Sequence, residues 1–110
     1  MEWTLEYIKV EIYIPEEYVV ELANELNENG ILLEGNYDYS FSTMSSIGHW
    51  RPLEGANPFD GEIGVVSSKE EIKMEFRIRA EDKEEVRRIV DRVHPYETQV
   101  MNFIPLLNEK

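Results

Sequence analysis

Hydrophobic and polar residues alternate along the first part of the chain, over residues 5–14, and this period of two predicts a half-buried β-strand. Pro15, Glu16 and Glu17 come next, and a proline followed by carboxylates is typical of the first turn of a helix. Behind them, apolar residues recur with the spacing of one helix face, at Val19, Leu22, Ala23 and Leu26. The helix is predicted to end at Gly30, which can adopt the left-handed conformation of a helix stop.

A second strand completes the first half of the chain, and the second half then repeats the order strand, helix, strand. Three aromatic residues alternate with polar ones and predict a second strand over residues 37–44. The clearest alternation in the chain, over residues 72–79, predicts a third strand. A second helix is expected after Asp82, which forms a variant of the capping-box signature with Glu85. The apolar face of this helix has the same spacing as that of the first, with Val86, Ile89, Val90 and Val93.

The end of the chain predicts a helix stop and a last strand. Pro95 should end the second helix, because the residue before a proline, His94, is biased out of the helical conformation. A final strand is predicted over residues 99–106, and Pro105 favours a position at the sheet edge. Two β-α-β units can bury both helices on one face of a shared sheet, which predicts an α+β, ferredoxin-like sandwich as a single domain over residues 1–110.

The other face of the predicted sheet has no helix to cover it. It carries Tyr7 and Tyr13 and, depending on register, either the aromatic or the serine side of the second strand. If the aromatic side lies there, it forms an exposed apolar patch, and such patches usually mark partner surfaces. We therefore expect a homo-oligomer.

Composition excludes several classes of partner. The chain has 110 residues with 11 Lys or Arg and 23 Asp or Glu, which gives a formal net charge of -12. A surface this negative repels phosphate and anionic lipid, so neither nucleic-acid nor membrane binding is expected. No apolar run is long enough to predict a transmembrane helix, and the first residues lack the pattern of a signal peptide. The absence of cysteine excludes disulfides and thiolate metal sites and favours a cytoplasmic location.

The predicted connection between the second and third strands, residues 45–69, is far longer than the ~2 to 5 residues of a hairpin loop. Its apolar residues are expected to anchor it to the body of the domain: Trp50, Leu53, Phe59 and Ile63. A flexible linker would not carry such residues, so we expect an ordered and functional segment.

Four motifs in the chain suggest a family: Ile14-Pro15-Glu16-Glu17, Gly35-Asn36-Tyr37-Asp38, the run Arg51-Pro52-Leu53-Glu54-Gly55-Ala56-Asn57-Pro58-Phe59 with Gly61 and Gly64, and His94-Pro95-Tyr96-Glu97. With them the chain resembles, over essentially its whole length, the PII-like insertion domain of the Nif-three-like dinuclear-metal-centre proteins, formerly labelled type-two GTP cyclohydrolases. The resemblance implies a fold related to PII signalling proteins and CutA-type divalent-cation tolerance proteins, whose ferredoxin-like subunits form trimers. It does not imply the metal centre, which in that family belongs to lobes flanking the insertion.

Two positions depart from the family pattern. Ser46 stands where the family usually has a first glycine before Gly48. Thr98 replaces the second glutamate expected after Glu97, so a role that needs paired carboxylates there is weakened.

Arg51 is the only Lys or Arg between Lys9 and Lys69. Unpaired, it would be a receptor for an anion. Paired with Glu54, Asp60 or Glu62, it would pin the connection, and we favour this second role because so many acidic partners are available. Residues 48–64 are the expected contact for a partner or small ligand, with the candidate residues Arg51, Glu54, Gly55, Asn57, Phe59, Gly61 and Gly64.

A metal site is a weaker hypothesis. His94 and Glu97 are both of metal-ligating type, and the connection could bring His49 near them to hold a divalent cation. The simpler interpretation, which we prefer, is a helix end in which His94 caps the dipole and Tyr96 packs into the core.

These observations predict a non-enzymatic PII-like or CutA-like binding or regulatory module that self-associates as a trimer or dimer and requires no cofactor. The resemblance extends to a hypothesis about the partner, which would be a separately encoded dinuclear-metal protein. The alternative is a metal-binding accessory or fragment of a metal-dependent hydrolase that uses His49, His94 and Glu97. A third possibility is a structural oligomerisation unit in which Trp50 and Phe59 only seal the core or the subunits.

Overall fold

The computed structural model of the protein describes residues 5–97 and 99–107. Within them the elements follow in the order β1 (Tyr7–Ile14), α1 (Val19–Glu28), β2 (Ser42–Trp50), β3 (Ser67–Arg79), α2 (Lys83–Val93) and β4 (Met101–Pro105). A short 3-10 turn precedes each helix, at Glu16–Tyr18 and at Ala80–Asp82. None of the helices in these residues is long and apolar enough to cross a membrane.

The four strands form one sheet in the order β2-β3-β1-β4, with every neighbouring pair antiparallel. This order and the two helices are those of the ferredoxin-like sandwich, so the expected fold class is confirmed. Strand β4 is an edge strand, as Pro105 indicated, since a proline cannot donate to a further strand.

The core lies between the sheet and the two helices. The inward row of β1 is almost completely buried, as the alternation predicted, with Ile8, Val10, Ile12 and Ile14. The inward row of β3 meets it through Met74, Phe76 and Ile78, and the helices contribute their apolar faces. Helix α1 is followed by Gly30 at φ +74°, and His94 turns to an extended ψ of 130° after α2, so both helix stops are confirmed.

The helix-free face of the sheet differs from its prediction. At its centre lie Lys9, Glu11, Lys73 and Glu75. Each lysine Nζ stands within 3.4 Å of both carboxylates. These contacts hold the pKa of Lys9 and Lys73 above the usual lysine value through hydrogen bonds to the two carboxylates, and the hydrogen bond from Lys73 lowers that of Glu11. The face is therefore a charge-paired surface at its centre, and the aromatic patch expected there is absent from the described residues.

The predicted second strand was wrong in its position. Strand β2 spans Ser42–Trp50, and residues 37–41 precede it in a turn region. Two features stop residues 37–41 from extending: Tyr39 has a φ of +50°, and the Asn27 side chain binds the backbone N–H of Tyr39 at 2.8 Å. The period-two aromatic pattern thus belongs to a turn that folds back onto the end of α1.

The connection is shorter than predicted, because the flanking strands are longer. Strand β2 continues to Trp50 and β3 begins at Ser67, which leaves residues 51–66 between them. Gly48, His49 and Trp50 therefore lie in a strand and not in the loop. The expected capping box is also wrong, because Asp82 makes no side-chain hydrogen bond to the start of α2 and a 3-10 turn occupies that place.

Candidate functional site

Strands β2 and β3 extend as a ribbon beyond the end of β1. Strand β1 pairs with β3 only from Ile72 onwards, whereas β2 pairs with it from Ser67. Together, the ribbon, the connection 51–66 and the segment after α2 line a partly open cavity of about 650 Å³. Its lining includes Tyr13, Trp50, Arg51, Phe59, Glu71 and Tyr96.

The connection is held to the body by specific contacts, as expected of an ordered segment. The Trp50 indole N–H donates to the carbonyl of Asp60 at 3.2 Å, and the backbone N–H of Asn57 donates to Glu97 Oε2 at 3.1 Å. Within the connection, the N–H of Gly64 donates to the carbonyl of Pro52 at 2.7 Å. These contacts fix the connection over the cavity as a wall.

One more polar contact closes the connection against β3. Lys69 Nζ lies 3.0 Å from Asp60 Oδ2. The hydrogen bond between them lowers the pKa of Asp60 and raises that of Lys69. The two side chains are thereby committed to each other, so neither is available to a ligand without breaking this pair.

Aromatic rings line the inner side of the connection. The centroid of Phe59 lies 6.1 Å from that of Tyr18 and 6.0 Å from that of Tyr96. Trp50 lies 6.3 Å from Tyr96 on the other side. Ring pairs at these distances contribute beyond their buried area, and Trp50, Phe59 and Tyr96 also line the cavity. Trp50 and Phe59 contact the body of the domain through these rings, as predicted of anchors, although Phe59 is itself 50% exposed.

The other two expected anchors, Leu53 and Ile63, are also exposed. Leu53 is 64% exposed and Ile63 is 48% exposed, whereas Pro52, which sequence reasoning did not single out, is buried. Gly55, Gly61 and Gly64 all have positive φ, which a glycine tolerates best, so they serve as turn residues of the connection.

Arg51 has no ion pair among the described residues, and this corrects the favoured prediction. Arg51 lines the cavity, while Asp60, one of the three acidic partners considered for it, pairs with Lys69 instead. Glu54 and Glu62 likewise form no ion pair with it in this part of the chain. The remaining alternative of the sequence analysis, an arginine available to an anion, stays a prediction.

A buried carboxylate also lines the cavity. Glu71 is only 7% exposed and belongs to the same outward row of β3 as Lys73 and Glu75. A Cβ placed on Gly48 would lie 1.9 Å from Glu71 Oε1, so the carboxylate occupies the space that a side chain at residue 48 would fill. The φ of Gly48 is not positive, and the glycine therefore serves to make room.

The phenol of Tyr96 points into buried surroundings beside Glu71. Its Oη is buried and has no hydrogen-bond partner within the described residues. Burial, followed by the charge of Glu71, raises the pKa of Tyr96 far above its usual range. Tyr96 is therefore a neutral phenol whose polar atom is buried beside the Glu71 carboxylate.

His94 holds this segment in place. Its Nε2 lies 2.7 Å from the carbonyl of Tyr13, and its Nδ1 accepts from the backbone N–H of Tyr96 at 3.2 Å. The first contact requires a proton on Nε2 and the second requires a lone pair on Nδ1, which together specify the neutral ring. Burial lowers the pKa of His94 in agreement with this state. The side chain does not cap the dipole of α2, contrary to the simpler interpretation.

The three residues of the metal hypothesis are placed in separate hydrogen bonds. His94 is bonded at both ring nitrogens, Glu97 accepts from Asn57, and His49 Nδ1 lies 2.8 Å from Ser68 Oγ. In the part of the chain that the structure describes, no three His, Asp or Glu side chains come together as a metal site. Thr98, at the departure from the family pattern, lies outside the described residues.

Sequence reasoning did not assign Glu71 or the hydroxyl of Tyr96 to the site. Glu71 was inconspicuous among 23 acidic residues. The one available signal was Gly48 within a strand, since an interior strand glycine often marks a close approach of another group.

Comparison with known proteins places the chain first in a structural class and then in a family. No protein-family profile matches it. It superposes on a structure of CutA from Archaeoglobus fulgidus with a TM-score of 0.71 at 20% identity, covering 94% of this chain and 87% of the other. That likeness shows a fold of the PII-like and CutA-like class.

A relative in sequence gives the family. A GTP cyclohydrolase 1 type 2 homolog of Staphylococcus aureus is 39% identical over 100 residues, which cover 91% of this chain and 27% of the relative. A Bacillus cereus protein related to NIF3 superposes with a TM-score of 0.81 at 26% identity, over 97% of this chain and 27% of that one. The chain belongs to the family of GTP cyclohydrolase 1 type 2 homologs, the NIF3 family, as the motifs indicated. It spans about a quarter of the length of the relatives it matches.

Proposed function

We propose that this chain is a non-enzymatic PII-like or CutA-like binding module that self-associates and holds a small ligand, or an acidic group of a partner, in the cavity under its connection. The observation that carries the proposal is Arg51, which lines the cavity and has no ion pair among the described residues. An arginine binds carboxylate or phosphate with two parallel hydrogen bonds, so it selects an anionic group.

The fixed connection supports the proposal further. Ligand sites are usually preformed concavities with apolar walls and a few polar groups. Here the walls are the rings of Trp50, Phe59 and Tyr96, and the polar lining residues include Arg51 and Glu71. Because hydrogen bonds hold the wall in place, little ordering is required when a ligand enters.

Self-association is supported by the exposed parts of the ribbon. Strand β2 is an edge strand of the sheet, and an edge presents unpaired backbone groups to another chain. Exposed apolar residues lie along β2 and at the end of the connection: Met44, Ile47, Val65 and Val66. We expect native mass spectrometry to give a trimer or a dimer, and a monomer at micromolar concentration would contradict this part.

The ligand part is tested by calorimetric titration with inorganic phosphate, nucleotides and small carboxylates. At least one class should bind, and Arg51→Gln should weaken it about tenfold or more, because a charged hydrogen bond contributes ~1.5 to 3 kcal/mol. Arg88→Gln is the matched control, since Arg88 lies on α2 and pairs with Glu85. Binding that Arg51→Gln and Arg88→Gln affect equally would contradict the role of Arg51.

A second candidate function is that of an accessory to a metal-dependent hydrolase, which the name and the greater length of the family's members favour. Metal analysis of protein purified without added metal, followed by a phosphoesterase screen, separates the two. Stoichiometric metal with turnover that His94→Ala abolishes would favour the hydrolase.

A further inference from the structure

Glu71 is a buried carboxylate that forms no ion pair among the described residues. Its side chain is 7% exposed, lines the cavity and forms no ion pair within residues 5–97 and 99–107. The lysine two positions earlier, Lys69, is held by Asp60 at 3.0 Å. Carboxylates are rarely buried unless a cation or several hydrogen bonds compensate for the lost water. Within the described residues, no ion pair of this kind is formed by Glu71.

The chain nevertheless keeps a space for this carboxylate. A Cβ at residue 48 would overlap Glu71 Oε1 at 1.9 Å, and Gly48 has no positive φ that would require glycine for another reason. Glycine in a strand interior weakens the strand. Two locally unfavourable choices, a strand glycine and a buried unpaired charge, thus combine to place one carboxylate at one point of the cavity.

The surroundings of Glu71 are aromatic. Tyr96 stands beside it with Oη unpartnered, Trp50 and Phe59 flank Tyr96 at 6.3 and 6.0 Å between centroids, and Tyr13 also lines the cavity. The faces of such rings attract cations, most strongly where water is excluded. A carboxylate and aromatic faces in one cavity both select positive charge.

The chemistry of the donor groups favours an organic cation over a metal ion. Calcium and magnesium ions require about six or more oxygen ligands, most of them charged or water. The other carboxylates of the cavity are committed, Asp60 to Lys69 and Glu97 to the backbone of Asn57. One carboxylate among rings instead suits an ammonium or guanidinium group, whose diffuse charge and apolar periphery match the walls.

We infer that the inner end of the cavity binds an organic cation, an ammonium or guanidinium group, with Glu71 as its counter-ion and the rings of Trp50, Phe59 and Tyr96 around it. The inference rests on the proposed function and deepens it. With Arg51 at the same cavity, the ligand class is one that carries a cationic group and an anionic group together.

The test compares choline with 3,3-dimethylbutan-1-ol, its uncharged isostere, in titrations at physiological salt. The readout is the indole N–H resonance of Trp50, recorded in a Trp3→Phe background so that only one indole remains. Choline should bind at least about tenfold more tightly than the isostere, the scale of a desolvated cation–π contact with a counter-ion. Acetyl-arginine methylamide is titrated in parallel, and its tighter binding would identify a partner's side chain as the source of the cation, whereas preference for choline would identify a free small molecule.

Three variants make the result specific. Glu71→Gln should reduce choline affinity about tenfold or more and leave the isostere unchanged. Gly48→Ala should have the same effect, because it displaces the carboxylate without removing the charge. Glu70→Gln, the exposed neighbour on β3, removes one charge from the surface and should leave choline binding nearly intact.

Equal affinity for choline and its isostere would overturn the inference, as would equal losses in Glu71→Gln and Glu70→Gln. The proposed function fails separately. If anions bind through Arg51 and organic cations do not, only the inference is wrong, and if neither class binds, the small-ligand part of the proposed function is wrong as well.

Discussion

Charged side chains in two regions of the same sheet differ in whether they form ion pairs. At the centre of the helix-free face, Glu75 lies 3.2 Å from Lys9 and 3.1 Å from Lys73, so each charge has a partner. Glu71 lies on the same row of β3, two residues before Lys73. It is more deeply buried and has no ion pair among the described residues. The first group forms ion pairs across the sheet, whereas Glu71 lines the cavity without an ion pair among the described residues.

This difference separates structural charges from charges that are available for binding. Charges that serve the fold alone are expected to find partners within the chain. Functional sites commonly reduce stability, because the groups that a ligand needs are kept unpaired in its absence. The acidic composition alone could not make this distinction, since both glutamates count equally toward the net charge of -12.

The largest effect is expected from Trp50→Ala, which removes a wall of the cavity and the hydrogen bond to Asp60. For a half-buried aromatic residue, we expect a loss of about 2–3 kcal/mol in the free energy of unfolding. Hydrogen exchange should speed up in residues 51–66 and stay slow in β1, where the paired region is intact. Equal acceleration in both regions would contradict the separation of cavity and sheet.

The same variant distinguishes a ligand-binding wall from a subunit seal. If Trp50 only joined subunits, Trp50→Ala would lose assembly in native mass spectrometry and keep the exchange pattern of the connection. We expect the opposite result, with the assembly retained and the connection loosened.

His94→Gln tests the group that holds the segment after α2 against the cavity. The unfolded chain binds a proton on His94 more readily than the folded chain, because burial lowers its folded pKa. The stability contributed by the neutral ring is therefore fully present above about pH 6.5 and decreases as the pH falls below it. His94→Gln should be about 1 kcal/mol less stable at pH 7.5 and should lack this decrease.

The matched control is His49→Gln, since His49 is exposed and bonds to Ser68. Urea unfolding at pH 5.5 and 7.5 measures all three proteins. Retention of the pH dependence in His94→Gln, or its loss in His49→Gln, would assign the titration to another group.

A smaller, local effect is expected from Glu97→Ala. It removes the acceptor of the Asn57 backbone N–H, and one such bond contributes about 0.5–1.5 kcal/mol. Only the exchange rates of amides near Asn57 should rise, with global stability nearly unchanged. Glu54→Ala provides the control on the same connection, and an equal effect there would show that the hydrogen bond to Glu97 is unimportant.

The buried half of the fold could be predicted from the sequence, because burial imposes a strict period on the apolar residues. Residues 72–79 alternate with the period of two of a half-buried strand, and the apolar residues of α2 recur at helical spacing. Both elements were identified correctly. The exposed ribbon imposes no such period, so β2 was placed too early, on aromatic residues that a turn at Tyr39 and the Asn27 side chain hold instead.

Only part of the site could be predicted from the sequence, for a related reason. Arg51 and the connection stood out by composition and by length. The decision between a paired and an unpaired Arg51 depended on the position of Lys69, which takes Asp60 away from it. Glu71 became distinct only through tertiary burial beneath Gly48 and beside Tyr96, which no local pattern encodes.

The central claim, that one glutamate serves the fold and the other serves a ligand, is tested most directly by one paired measurement. Urea unfolding at pH 7.5 compares Glu75→Gln with Glu71→Gln, the same substitution on the same row of one strand. We expect Glu75→Gln to lower the free energy of unfolding by about 0.5–1 kcal/mol as its ion pairs are lost. Glu71→Gln should raise it by about 1 kcal/mol or more, because a buried unpaired charge is removed. A loss of stability in both variants would contradict the claim.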